Sequence, residues 1–315
     1  MPIAQLLTPR QLADQLQEED RVILDCRFSL DDPNHGRRSH AEGHIPGACF
    51  ADLNRDLSAA VIPGVTGRHP LPEVAALQAR LRQWGIDNDS RIVLYDDGPG
   101  AFAARAWWLL AWLGKREGVF LLDGGLQAWL AAGLPLSNEE PQGRSGTFEG
   151  RPDNRLLVDA ASLLERLGRP DLTLLDARGL PRFRGEVEPI DPVAGHIPGA
   201  RCAAFTDNLQ ADGRFCSPQA LRERFLALLG ERDPASLVAY CGSGVTACHN
   251  LFALCLAGFE LAPLYAQALV GSVSMTAQWW LDTREPKKEV VAAHLVNRMW
   301  NGLTHLEADP QLQDE

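Results

Sequence analysis

Residues 41–48 read AEGHIPGA and residues 193–200 read VAGHIPGA, nearly the same eight-residue stretch met twice in one chain. Working outward, VILDCR stands at 22–27 ahead of the first copy and TLLDAR at 173–178 ahead of the second. Downstream, RIVLYDDGPGAFAARAWWLLAWLG begins at 91 and SLVAYCGSGVTACHNLFALCLAGF at 236. The three pairs are offset by 151, 152 and 145 residues, so order and spacing are both kept and the chain is a duplicated domain. Each unit alternates short runs of β-branched residues and leucine, such as 22–24 and 91–95, with helical spacing over 72–84 and 101–114. That alternation predicts an α/β fold in which each half is a mostly parallel sheet flanked by helices. Ligands of such sheets collect beyond the carboxyl ends of the strands, where loops lead into helices.

The 315 residues suit two domains of about 150 residues each. The Pro-, Gly- and Ser-rich stretch 137–155 separates them, giving an N-terminal domain at 1–140, a linker at 141–155 and a C-terminal domain at 156–284. Residues 285–315 have no counterpart in the first copy and read as a divergent tail. Hydrophobic residues at 45% and charged residues at 23% fit a soluble globular protein. A net charge of -11 argues against nucleic acid or an anionic membrane as partner. With no secretion signal and no apolar run of about 18 residues, the expectation is a cytoplasmic protein. It is expected to be a monomer, since the two halves can bury their shared interface.

Seven cysteines, odd in number and scattered without a CxxC pair, argue against a disulfide framework or a structural zinc site. His44 and His196 belong to the twin GHIPGA segments, and only one copy carries the cysteine loop, so both read as turn residues rather than metal ligands.

The cysteine loop, YCGSGVT at 240–246, falls where a strand gives way to a helix. A helix N-terminus offers free N–H groups and partial positive charge, and successive amides turned inward form an anion nest. Gly242 and Gly244 allow close backbone approach, while Ser243 and Thr246 add hydroxyls. Such surroundings favour a reactive thiolate at Cys241, whereas an inert packed cysteine would need none of them. Cys248 and Cys255, on the helix that follows, read as core. Aligned without a gap, the first copy has YDDGPGA at 95–101, with Asp96 in the place of the cysteine. The C-terminal half is therefore expected to be catalytic and the N-terminal half to wall the site.

Over roughly residues 5 to 270 the tandem LDxR, GHIPGA and cysteine-loop pattern, with LDGGLQAW at 122–129, resembles the two-domain rhodanese-like sulfurtransferases. Within that family CGSGVT is similar to the loop of the 3-mercaptopyruvate sulfurtransferases, where thiosulfate-using members carry basic residues after the cysteine. The resemblance implies a substrate site formed by Gly242, Gly244, Val245 and Thr246 together with two arginines that hold the substrate carboxylate and carbonyl. Arg182 matches the first. The second falls on Asp191, where the arginine is missing, and Arg184 is the candidate to compensate. It also implies a histidine from the first domain near the loop serine and an acid: His69 and Ser243 match, and Asp52 is the nearest candidate acid.

The implied reaction moves sulfur by two displacements through a Cys241 persulfide, with pyruvate leaving and a thiol, such as thioredoxin or a small thiol, or cyanide accepting. No cofactor or metal is expected. Thiosulfate is the alternative donor, and a non-enzymatic sulfur carrier or binding module is the alternative class, motivated by the poor family fit after Tyr265. A phosphatase of the Cx5R type is disfavoured, because Ala247 stands where its arginine would be.

Overall fold

In a computed structural model, residues 3–141, 144–259 and 265–267 are described. The expected tail at 285–315 and the divergent segment that follows 265–267 lie outside them. The short apolar runs are strands: β1 (Gln5–Leu7), β2 (Arg21–Asp25), β3 (Ala48–Phe50), β4 (Arg91–Tyr95) and β5 (Val119–Leu122) form a parallel sheet in the order β1-β5-β4-β2-β3. The second half forms β7-β6-β8-β9 from β6 (Thr173–Asp176), β7 (Arg201–Cys202), β8 (Leu237–Tyr240) and β9 (Tyr265–Gln267), also parallel. Strands β5, β6 and β8 are buried along their whole length, as expected where helices cover both faces of a sheet.

The first sheet carries α1 (Pro9–Asp14), α2 (His35–Glu42), α3 (Val74–Gln83), α4 (Ala101–Trp112) and α5 (Gly125–Ala131). The second carries α6 (Ala160–Arg166), α7 (Leu180–Arg184), α8 (Pro218–Leu229) and α9 (Val245–Leu256).

The repeated motifs form one buried network in each half. Asp25 pairs in register with Tyr95, and Asp176 with Tyr240. The Arg27 guanidinium donates to Asp25 at 2.6 Å and to the Gly43 carbonyl at 2.7 Å, while Arg178 does the same with Asp176 at 2.7 Å and Gly195. The Tyr95 hydroxyl accepts from Ile45 N–H at 3.3 Å and that of Tyr240 from Ile197 N–H at 3.1 Å. LDxR, GHIPGA and the tyrosine before the loop thus recur together because each satisfies the others' buried polar groups. His44 and His196 serve the same turns. Their Nδ1 atoms lie 2.7 Å from the carbonyls of His40 and Phe183, and their rings stack on those two residues.

The halves are joined by α4 against α9, with Trp107 edge-on to Phe252 at 5.1 Å, and one hydrophobic cluster runs through both. Residues 146–153 of the expected linker are bonded to the first domain: the N–H groups of Gly146, Phe148, Arg151 and Asp153 donate to carbonyls of Arg82, Ile86, Leu113 and Trp112, and Phe148 is buried. No helix among the described residues is long and apolar enough to cross a membrane.

Candidate active site

Cys241 follows the last residue of β8 and is 3% exposed. Gly244 caps α9 in the left-handed region, at φ 81°, which turns its N–H back onto the Cys241 sulfur at 3.1 Å. Cys248 donates to the Gly244 carbonyl at 3.0 Å, and burial pushes its thiol up to about 12. The thiol of Cys255 is pushed up equally, to about 12, by burial. Both remain packing residues.

The twin loop in the first domain shows what this backbone holds. The buried Asp96 carboxylate accepts from the N–H groups of Gly98 at 3.0 Å, Gly100 at 2.9 Å, Phe102 at 2.9 Å and Ala103 at 3.4 Å. An anion sits in the first nest, then, at the position where sulfur sits in the second. The gapless alignment needs one correction. Gly100, at φ 78°, is the partner of Gly244, so the first loop runs five residues from strand to cap where the second runs four.

His69 reaches this loop from the N-terminal domain, with Nδ1 2.9 Å from the Ser243 hydroxyl. Its ring is buried edge-on to Phe28, and Arg105 donates to its carbonyl at 3.4 Å. Burial, reinforced by the Arg105 and Arg68 charges, pulls the imidazole down to about 4, so it is neutral at ordinary pH. The expected acid is elsewhere. Asp52 faces Arg37 at 3.6 Å and Arg55 at 4.0 Å and accepts from the N–H groups of Asn54 and Arg55, because it caps the turn that follows β3. Burial first, and then the Arg105 and Arg68 charges, set the charge state of His69, in the direction opposite to that in which an acid would act.

Arg182 is brought to the loop by α7 but is not free. It donates to Glu188 at 2.6 Å and to Asp191 at 2.7 Å. Asp191 also binds Arg68, the residue before His69, and a Cβ on Gly242 would lie 2.6 Å from Asp191 Oδ2 and 2.7 Å from Arg68 Nη2. Asp191 therefore holds two guanidinium groups, Arg182 from its own domain and Arg68 from the other. Arg184 turns out to solvent, 3.6 Å from Glu186. Val245 is buried at the start of α9 and Thr246 half-buried. Arg68 and Glu188 escaped the sequence reading. The signal for Arg68 was adjacency to His69, and for Glu188 it was an acid six residues after Arg182, which only the fold of this turn makes meaningful. No cluster of three potential metal ligands occurs among the described residues.

Two α/β halves on one plan, with a cysteine at the mouth of the strand-to-helix loop in only the second, define a duplicated α/β domain. The chain belongs to the rhodanese-like family of two-domain sulfurtransferases. The rhodanese-like domain pattern matches residues 8–132 and 159–274. A Pseudomonas aeruginosa protein named "Probable 3-mercaptopyruvate sulfurtransferase" is 66% identical over 286 residues, covering 91% of this chain and 98% of the relative. A Mycobacterium tuberculosis protein named "Putative thiosulfate sulfurtransferase SseB" is 41% identical, covering 89% and 95%. Among solved structures, 3-mercaptopyruvate sulfurtransferase from Leishmania major superposes with a TM-score of 0.74 at 31% identity, covering 92% of this chain and 78% of that one.

Proposed function

We propose that this protein takes sulfur from 3-mercaptopyruvate as a Cys241 persulfide and passes it to a thiol or to cyanide. In the first displacement the Cys241 thiolate attacks the donor sulfur. The S–S bond forms, the C–S bond breaks, and its electron pair leaves on pyruvate as the enolate, which then takes up a proton. In the second, an acceptor thiolate attacks the outer sulfur and returns Cys241 to thiolate.

The observation that carries the reading is the pair of nests: Gly244 N–H on the Cys241 sulfur, and the twin loop gripping a carboxylate with four N–H groups. Such a loop suits a thiolate or persulfide anion. Ser243, hydrogen-bonded to neutral His69, is placed to polarise the donor carbonyl or relay the proton that the enolate takes. Arg182, its Nε and Nη2 held by Glu188 and Asp191, is the cation beside the loop assigned in this reading to the substrate carboxylate. The catalytic domain in this reading is 156–284, with His69 supplied by 1–140, and the protein works as a cytoplasmic monomer with thioredoxin or a small thiol as acceptor. The names of the relatives support 3-mercaptopyruvate as the donor.

Thiosulfate is the second reading, favoured by the name of the 41% identical relative. The acidic Asp191 and Glu188 beside the loop, and the absence of a base at Gly242 or Ser243, weigh against a dianion. Intact mass after incubation with each donor decides between them. Mercaptopyruvate is expected to add one sulfur, about 32 Da, to the wild type and none to Cys241→Ser. Gain from thiosulfate alone would transfer the assignment to that donor, and gain from neither would leave the carrier or binding-module class.

A further inference from the structure

Two guanidinium groups, one from each domain, meet on a single carboxylate over the cysteine loop. Arg182 Nη2 binds Asp191 Oδ2 at 2.7 Å and Arg68 Nη1 binds Asp191 Oδ1. Asp191 is only 2% exposed along its side chain, whereas Arg68 is 33% exposed and Arg182 21%. The carboxylate is thus the inner member of the group and the two arginines form its outer face. Arg68 Nη2 lies over Gly242, close enough that a Cβ there would meet it at 2.7 Å. Arg68 Nε is buried and has no hydrogen-bond partner among the described residues. A guanidinium binds carboxylate most strongly through two parallel N–H groups, and a buried N–H without a partner is uncommon unless a ligand or solvent completes it.

We propose that Arg68 is a substrate-binding residue of this enzyme, the second guanidinium that holds the carboxylate of the 2-oxo acid donor beside Arg182, and that Asp191 is the residue positioning both. The assignment rests on the sulfur transfer from 3-mercaptopyruvate proposed above. It places one half of the carboxylate clamp on the N-terminal domain, next to His69, so that one loop delivers both the proton-relay imidazole and an anchoring cation. It also accounts for the residue at 242. Gly242 φ is not in the left-handed region, so the glycine is needed for space, because any side chain would push the Arg68–Asp191 pair off the loop. The charges around the clamp, Arg68, Arg178 and Arg182 against Asp176, Asp191 and Glu188, balance to zero. A monoanionic carboxylate can enter such a site on directional hydrogen bonds, while a dianion gains no net field.

The test is steady-state transfer from 3-mercaptopyruvate to cyanide, with pyruvate as competitive inhibitor and intact mass as the control for persulfide loading. Arg68→Gln is expected to raise the KM for mercaptopyruvate and the inhibition constant of pyruvate together, by about 10- to 100-fold, with the KM for cyanide unchanged. Arg68→Lys, which keeps the charge and loses the fork, is expected to fall between. Asp191→Asn is expected to raise KM and keep kcat, since Asp191 touches the guanidinium groups and not the reacting atoms. Wild type that gains about 32 Da from mercaptopyruvate, together with unchanged KM and pyruvate inhibition in Arg68→Gln, overturns the proposal and leaves the proposed reaction standing. Wild type that gains no sulfur from mercaptopyruvate removes both.

Discussion

The 2.9 Å contact between Ser243 and His69 joins two side chains 174 positions apart, and its chemistry depends on the imidazole being neutral. With burial and two nearby arginines holding His69 near 4, its base form persists well below the ordinary histidine range. The acid limb of kcat with mercaptopyruvate is therefore expected near pH 4 instead of near 6.5. His69→Asn should lower kcat by about 10²- to 10⁴-fold, the scale of lost acid–base assistance, and abolish that limb. A pH–rate profile from 4 to 8 checks it, and an inflection near 6.5 that survives in His69→Asn would assign the limb elsewhere. At this scale the loop around Cys241 was legible from its neighbours along the chain. The state of His69 was not, since Arg105 comes from a helix that nothing in the GRHPLP stretch announces.

The strand–loop–helix element appears twice, and the comparison explains what each copy does with its amides. In the first, four N–H groups between β4 and α4 close on Asp96; in the second, the loop between β8 and α9 is one residue shorter and opens onto sulfur. Burial pushes the Asp96 carboxyl up while those N–H groups pull it back. Asp96→Ala should strand the donors and cost about 2 to 4 kcal/mol in urea unfolding. Sulfate in the buffer should restore part of the loss by occupying the vacated nest. Equal stability of the variant and the wild type would show that the nest is not a structural anion site. The five-against-four loop length was invisible in the sequence, because a gapless match of YDDGPGA to YCGSGVT preserves the tyrosine and the small residues on both sides.

At the scale of the whole molecule, α4 and α9 make the two domains one hydrophobic body, and His249 sits in the seam. Its Nε2 lies 2.8 Å from the Pro99 carbonyl, its Nδ1 3.1 Å from Asn208, and its ring stacks on Phe215 at 4.7 Å. Burial lowers it to about 3. The unfolded chain takes a proton on this residue below about 6.5, and the folded interface refuses it until about 3. Its contribution to stability is complete above pH 6.5 and is lost as pH falls toward 3, at about 1.4 kcal/mol per pH unit. Between pH 7 and pH 5 the wild type should lose about 2 kcal/mol more than His249→Gln in equilibrium unfolding. Parallel losses in the two proteins would place the acid sensitivity outside the seam.

Duplication, the parallel α/β plan and the place of the cysteine loop between strand and helix followed from local pattern, because strand runs, helix spacing and loop glycines report conformations set within a few residues. The recurrence of LDxR with GHIPGA had a physical cause as well: each arginine needs both its aspartate and the carbonyl of that turn. The composition of the charged cluster beside the loop did not follow in that way. Read along the chain, Asp191 is an arginine lost; in the fold it is the carboxylate that gathers Arg182 and, from 123 positions away, Arg68. Asp52, nearby in sequence, was drawn to Arg37 and Arg55 instead of His69. Ion pairs form between whichever charges the fold brings within a few ångströms, and for Arg68 and Asp191 that proximity arises only when α4 and α9 close the two halves against each other.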